Sequence, residues 1–157
     1  MTNLPFGFHR PEDSPGFVLW QTTMIWQRQI RKALEPHDVT HPEFVLLASL
    51  LWFEAHQFER TQAALIDWTK LDKMTVSKAL KKLEKLRYVT RLEHESDSRA
   101  KIVSLTLSGK VLTRTLVPIV EDIDAQFFGQ ASQQEIRVLV KTLLTILRVQ
   151  SDFEVES

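Results

Sequence analysis

Lys78, Lys81, Lys82 and Lys85 recur at intervals of one to four residues within the stretch Leu71 to Lys101, LDKMTVSKALKKLEKLRYVTRLEHESDSRAK. At a helical advance of about 100° per residue, Met74, Lys78, Lys81 and Lys85 share one side, flanked by Ser77 and Lys82. Val76, Ala79, Leu80, Leu83 and Leu86 share the opposite side. Ammonium groups along a helix whose back is apolar can neutralise a polyanion, so the chemistry this spacing offers is phosphate binding. The plain alternative for such lysines is a solvated helix face.

Two runs rich in β-branched and apolar residues follow, Tyr88 to Glu93 and Ile102 to Leu107, and between them lies His94 to Lys101, HESDSRAK. Such runs on either side of a polar loop predict a β-hairpin, and the length of the loop predicts a tip that projects into solvent. A cationic helix followed by a hairpin with a cationic tip is the pattern of a winged helix-turn-helix, with the helix in the major groove and the wing on the backbone or minor groove. Thr75, Ser77 and Lys78, in the N-terminal half of the helix, are placed for base edges, and Met74 for a thymine methyl. Lys81, Lys82 and Lys85 are placed for phosphates, which position rather than specify. The N-terminus of the preceding short helix favours phosphate and adds Thr61 and Gln62. Arg99 suits the negative potential of a narrow minor groove, beside Ser98 and Lys101, with Asp97 as a partner that orients Arg99 or Arg91.

The segments DKMTVSKALKKLEKLRYVTR and DSRAKIVSLTLSGK resemble the multiple antibiotic resistance regulator (MarR) family of bacterial transcription factors. Asp97-Ser98-Arg99, the apolar strand, and then Leu105-Thr106 and Gly109 match that family's wing and its exit. Helix order and length match more loosely over the whole chain. The sequence departs from the family at Arg87-Tyr88, where a glycine usually leads into the strand. The resemblance implies a mostly α-helical homodimeric repressor on a pseudo-palindromic operator in double-stranded DNA. It also implies a small aromatic or phenolic effector, bound between the dimerisation helices and the DNA-binding lobe and releasing the DNA. Trp20, Arg28, His41, Trp52 and His56 are the candidates to line such a crevice, against the alternative that the aromatics are plain core.

The elements that must position this motif are legible on either side of it. Ser14-Pro15 predicts a helix start, with the helix running to about Leu34, ahead of Pro36. Its Phe17, Trp20, Met24 and Trp26 read as core or interface. Thr40-His41-Pro42-Glu43 is a capping box opening a buried apolar helix, Phe44 to about Gln57. Thr61 caps a short helix, Gln62 to Thr69, with Ala64, Leu65 and Trp68 inward, and Leu71-Asp72 turns into the recognition helix, Lys73 to Arg87. Thr106 opens a long helix to about Phe128 that bends at Pro118, and a second capping box, Ser132 to Glu135, opens a last helix to about Val149. Ile136, Leu139, Val140, Leu143, Leu144, Ile146 and Leu147 cover more of that helix than one subunit can hide. The fold class is therefore mostly α with a small β-hairpin. Its parts are an N-terminal tail and dimerisation helix over 1–35, the winged helix-turn-helix lobe over 36–107, and C-terminal dimerisation helices over 108–157.

Composition narrows the classes. The chain has 157 residues, 43% of them hydrophobic, enough for one core plus a dimerisation extension. It has no cysteine, which excludes disulfides, thiolate metal sites and thiol-based peroxide sensing. Net charge is zero, yet Lys70 to Lys101 holds ten Lys/Arg against five Asp/Glu while the remainder holds ten against fifteen, so positive charge is concentrated on the motif. No apolar run approaches the roughly 20 residues of a membrane span, and a cytoplasmic protein is expected. Four glycines form no phosphate loop and the five histidines have no helical metal spacing, so neither enzyme, cofactor nor metal chemistry is indicated. The remaining alternative is a winged-helix protein-interaction module without specific DNA binding.

Overall fold

A computed structural model describes residues 4–93 and 101–156. Six helices and one hairpin follow in the order α1 (Pro15–Leu34), α2 (His41–His56), α3 (Gln62–Thr69), α4 (Lys73–Lys85), β1 (Val89–Glu93), β2 (Lys101–Leu105), α5 (Leu107–Phe128) and α6 (Gln133–Glu156). Short 3-10 turns precede α1 and α2. The chain divides into two compact units, Met1–Val120 and Glu121–Ser157.

Helix starts follow the local chemistry of the sequence. Ser14 Oγ accepts from the Phe17 amide, and Thr40 and Glu43 close a reciprocal box, the Glu43 amide donating to Thr40 Oγ1 and the Thr40 amide to Glu43 Oε2. Thr61 Oγ1 caps α3 through the Ala64 amide, and Thr106 Oγ1 caps α5 through the Gly109 amide. Ser132 and Glu135 repeat the box at α6. The helix ends are less ordinary. Asp38, Gln57, Lys70 and Arg87 all have φ between 54° and 62°, the left-handed region in which glycine is at ease. At the end of α4 the Tyr88 amide donates to the Leu83 carbonyl and the Arg87 amide to the Glu84 carbonyl, a Schellman ending with arginine in the glycine place.

The core of the first unit is one layer of side chains between helices and hairpin. Leu46, Leu47, Leu50 and Phe53 of α2 meet Leu65 of α3, the Val76, Ala79, Leu80 and Leu83 face of α4, and Val89, Val103 and Leu105 of the hairpin. Burial of this continuous apolar set is the dominant favourable term for the lobe. The hairpin is antiparallel, with Val89 opposite Leu105 and Glu93 opposite Lys101, and Arg60 extends it by accepting from the Val103 amide at 2.8 Å. Two ionic ties fix it. Arg91 donates from Nε and Nη2 to the two carboxylate oxygens of Glu84 on α4. Glu54 of α2, mostly buried, takes Arg60 at 3.1 Å, Lys110 of α5 at 3.0 Å and the Leu105 amide at 3.2 Å. A Cβ at Gly109 would collide with the Tyr88 carbonyl oxygen, which explains the glycine at the wing's exit.

Several expectations need adjustment. Trp68 does not point inward: it is 51% exposed and lays its ring edge-on against Phe53 at 5.2 Å, because the short α3 ends one turn past the core. Trp52 likewise leaves α2 half exposed, since the buried side of that helix is already filled by Leu46, Leu50 and Phe53. The second strand stops at Leu105, and Leu107 belongs to α5 because Thr106 caps the helix between them. Helix α6 extends past Val149 to Glu156, whereas α5 ends at Phe128 as expected, with Pro118 inside it. In the second unit no described side chain of α6 is buried. Among the described residues no helix is long and apolar enough to cross a membrane.

Candidate nucleic-acid interface

Helix α4 is set in place from both ends and from behind. Asp72 is its N-cap, accepting from the Thr75 amide at 2.8 Å and from Thr75 Oγ1 at 2.6 Å. Those bonds hold the Asp72 carboxyl below its usual range, the side-chain bond from Thr75 first among the causes. Val76, Ala79, Leu80 and Leu83 anchor its back in the core. Its front carries Met74, 83% exposed, with Ser77, Lys78, Lys81 and Lys85, all exposed. Among the described residues Lys78, Lys81 and Lys85 make no ion pair, so three ammonium groups face outward uncompensated. Thr75 lies at the flank, partly buried.

Lys82 is different. Its ammonium lies 3.1 Å from Glu43 Oε1 and 3.2 Å from Oε2, and also donates to the Asp38 carbonyl at 3.4 Å. Glu43 is almost fully buried at the start of α2, where it also completes the capping box. One carboxylate therefore joins the entry of α2 to the middle of α4. Nothing local in the sequence marks this pair, which spans 39 residues.

Around α4, Thr61 is buried with its hydroxyl committed to the α3 cap, and Gln62 beside it is partly exposed. Lys101 is exposed at the start of β2. Arg91 has Glu84 as its partner; Glu84 is held below the usual carboxylate range, chiefly by the Arg91 hydrogen bonds. Asp97, Ser98 and Arg99 lie outside the described residues.

The five residues suggested for an effector are not brought together. Arg28 and His41 border an open cavity of about 760 Å³ in the first unit, together with Trp26, Arg31, Val45 and Lys82. The Trp26 and His41 rings meet edge to face at 5.2 Å. Trp20 is 62% exposed elsewhere on α1. Trp52 and His56 stack on each other at 3.9 Å, with His56 Nδ1 2.9 Å from the Trp52 carbonyl, and neither borders the cavity. By helical phase His41, Trp52 and His56 share one side of α2. Trp52 lies eleven residues along it from His41, about 16 Å at 1.5 Å per residue, so length along the axis separates them. Arg28 and Arg31, three apart on α1, both border the cavity. Among the described residues no group of three His, Asp or Glu is placed to hold a metal ion.

Residues 35–123 match the ArnR1-like winged-helix domain model. The uncharacterized HTH-type transcriptional regulator YdcH of Bacillus subtilis is 41% identical over 128 residues, 82% of this chain and 87% of that protein. This chain belongs to the MarR family of winged-helix, DNA-binding transcriptional regulators. Two solved MarR-type structures show how far the fold is shared. Bordetella bronchiseptica BpsR, whose DNA binding is regulated by 6-hydroxynicotinic acid, superposes with a TM-score of 0.79 over 89% of this chain and 97% of its own, at 21% identity. A mutant of Escherichia coli MarR complexed with operator DNA gives 0.75 over 90% and 99%, at 22% identity.

Proposed function

We propose that this MarR-family chain acts as a homodimeric repressor that reads a pseudo-palindromic operator through α4 and grips it with the wing. The observation that carries the DNA contact is the Lys78, Lys81 and Lys85 face, without ion pairs among the described residues, opposite Val76, Ala79, Leu80 and Leu83, all buried in the core. Met74, Thr75, Ser77 and Lys78 meet base edges; Lys81, Lys85 and, at the start of α3, Gln62 lie along phosphates, with Thr61 capping that helix behind it. Asp97, Ser98, Arg99 and Lys101 form the wing contact. Lys82, held by Glu43, supports the helix from its flank. The test is a mobility shift on the duplex upstream of the chain's own gene at increasing salt. Retention that weakens steeply with salt supports the reading, and salt-insensitive or absent retention favours a protein-interaction module.

The dimer rests on α6, in which Val138, Leu139, Val140, Leu144, Ile146, Leu147 and Val149 are all 39% or more exposed. An isolated helix with no buried side chain lacks the packing that stabilises helices in proteins. Leu4, Phe6, Phe8, Phe17 and Trp20 are similarly exposed at the other end. The segments 1–35 and 108–157 therefore supply the two-fold interface. Light scattering should give twice the 18.2 kDa chain mass.

For an effector, the cavity with Arg28, Arg31 and His41 on its border suits a small aromatic carboxylate, the class to which BpsR's 6-hydroxynicotinic acid belongs. Titration with a panel of such acids, 6-hydroxynicotinate included, should release bound operator, and Arg28→Ala should blunt the response.

A further inference from the structure

The pairing of Asp72 with Thr75 has a consequence for which bases the helix reads. A threonine hydroxyl has one hydrogen and two lone pairs, and on an open helix face it rotates to donate or accept as the base demands. Thr75 is not open in this sense. Its Oγ1 lies 2.6 Å from Asp72 Oδ2, and an ionised carboxylate accepts only, so the hydroxyl hydrogen points back at Asp72. The distance is that of a charge-assisted O–H···O⁻ bond, about twice as strong as a neutral one. The second carboxylate oxygen is engaged by the Thr75 amide at 2.8 Å, which fixes the rotamer of Asp72. What the pair presents outward is lone pairs alone.

We propose that Thr75 is a specificity-determining residue that reads a hydrogen-bond donor on a base edge, with Asp72 as the positioning residue that keeps its hydroxyl an acceptor. The inference rests on the DNA reading above and names what that face recognises. In the major groove the donors are adenine N6 and cytosine N4; guanine and thymine present acceptors at the corresponding edge. Thr75 therefore selects A or C on the strand it faces and disfavours G and T. Ser77, two residues on and exposed, has a hydroxyl with no hydrogen bond among the described residues, and it tolerates either kind of base edge. The discriminating hydroxyl and the permissive one are told apart by Asp72, not by residue type.

The experiment is selection of bound sequences from a random duplex pool with the intact wild-type chain and four variants. The wild type should show one position in each half-site enriched in A or C by about fivefold, the factor one hydrogen bond is worth. Thr75→Val should flatten that position alone, and Thr75→Ser should keep it. Asp72→Ala should admit G and T there, because the freed hydroxyl can then donate, while other positions keep their preferences. Ser77→Ala should leave that position unchanged. If Asp72 acts only as a helix cap, Asp72→Ala weakens all sequences by one factor without altering preference, and the proposal falls. It falls equally if the position that Thr75→Val flattens is G or T in the wild type. Retention of duplex without sequence preference would overturn this inference and leave DNA binding standing. No retention of any duplex would overturn the DNA reading itself and this inference with it.

Discussion

Lys82 and Lys85 are neighbours on α4 in charge and residue type, and the structure gives them different surroundings, an ion pair and open solvent, whose proposed consequences one pair of variants separates. In Lys82→Met the side-chain stem remains but the ammonium leaves, and the carboxylate of Glu43, 6% exposed, loses its cation. Breaking a fully buried pair costs about 3–5 kcal/mol. Lys82 is 37% exposed and Glu43 keeps the Thr40 amide, so solvent screening and that remaining bond bring the expected loss to about 1–2 kcal/mol. Urea unfolding at fixed protein concentration measures it, and a cycle with Glu43→Gln should return a coupling of about 1 kcal/mol. The same Lys82→Met protein should bind duplex with an unchanged slope of log K against log salt. Lys85→Ala should do the reverse, leaving stability within about 0.5 kcal/mol and flattening the slope by about one unit for each copy on the duplex. A stable Lys82→Met variant with a flattened slope would show that the lysine serves phosphate and that the Glu43 pair does not support the helix.

Three further outcomes follow from the fold. Arg87→Gly should raise stability by about 1 kcal/mol, seen as a rise of about 3 °C in melting temperature, because the left-handed backbone at φ 62° then carries no Cβ penalty. Glu54→Ala should cost about 2 kcal/mol in urea unfolding, since Arg60, Lys110 and the Leu105 amide all lose their shared acceptor. The Asp72, Glu84 and Glu135 carboxyls are held below their usual range by Thr75, Arg91 and Ser132 respectively, so each contributes stability that is fully present above the ordinary carboxylate range. That contribution should disappear as pH falls through their lowered values, and melting curves across the acid range should show a progressive fall with no compensating gain.

Much of this architecture is legible in the sequence where a feature is local. Thr40 with Glu43, Ser132 with Glu135, Thr61 and Thr106 each mark a helix start within three residues, and each start lies where the pattern puts it. The two faces of α4 follow from periodicity alone. Most helix ends are legible too: Leu34, Thr69 and Phe128 lie where expected and α2 stops one residue before Gln57, although the chain closes four elements with Asp38, Gln57, Lys70 and Arg87 in a conformation normally signalled by glycine. Features that depend on distant partners were not legible. Lys82 looks like its neighbours until Glu43 is folded against it, and Arg91 looks like a wing cation until Glu84 takes it. Trp52 and Trp68 illustrate a further limit: an aromatic on a helix side that the core does not cover, or past the end of the core on a short helix, stays half exposed. The cavity residues Trp26 and Arg31 come from α1 and Lys82 from α4, two helices that share no motif.

The central claim, a two-fold regulator that lays two lysine-faced helices on one duplex, is tested most directly by sedimentation of a labelled duplex from upstream of its gene, titrated with the intact chain at several salt concentrations. The account predicts saturation at two chains per duplex. With Lys78, Lys81 and Lys85 from each copy on phosphates, log K should fall against log salt with a slope of about −5 or steeper. One chain per duplex at saturation, or binding that salt does not weaken, would contradict it.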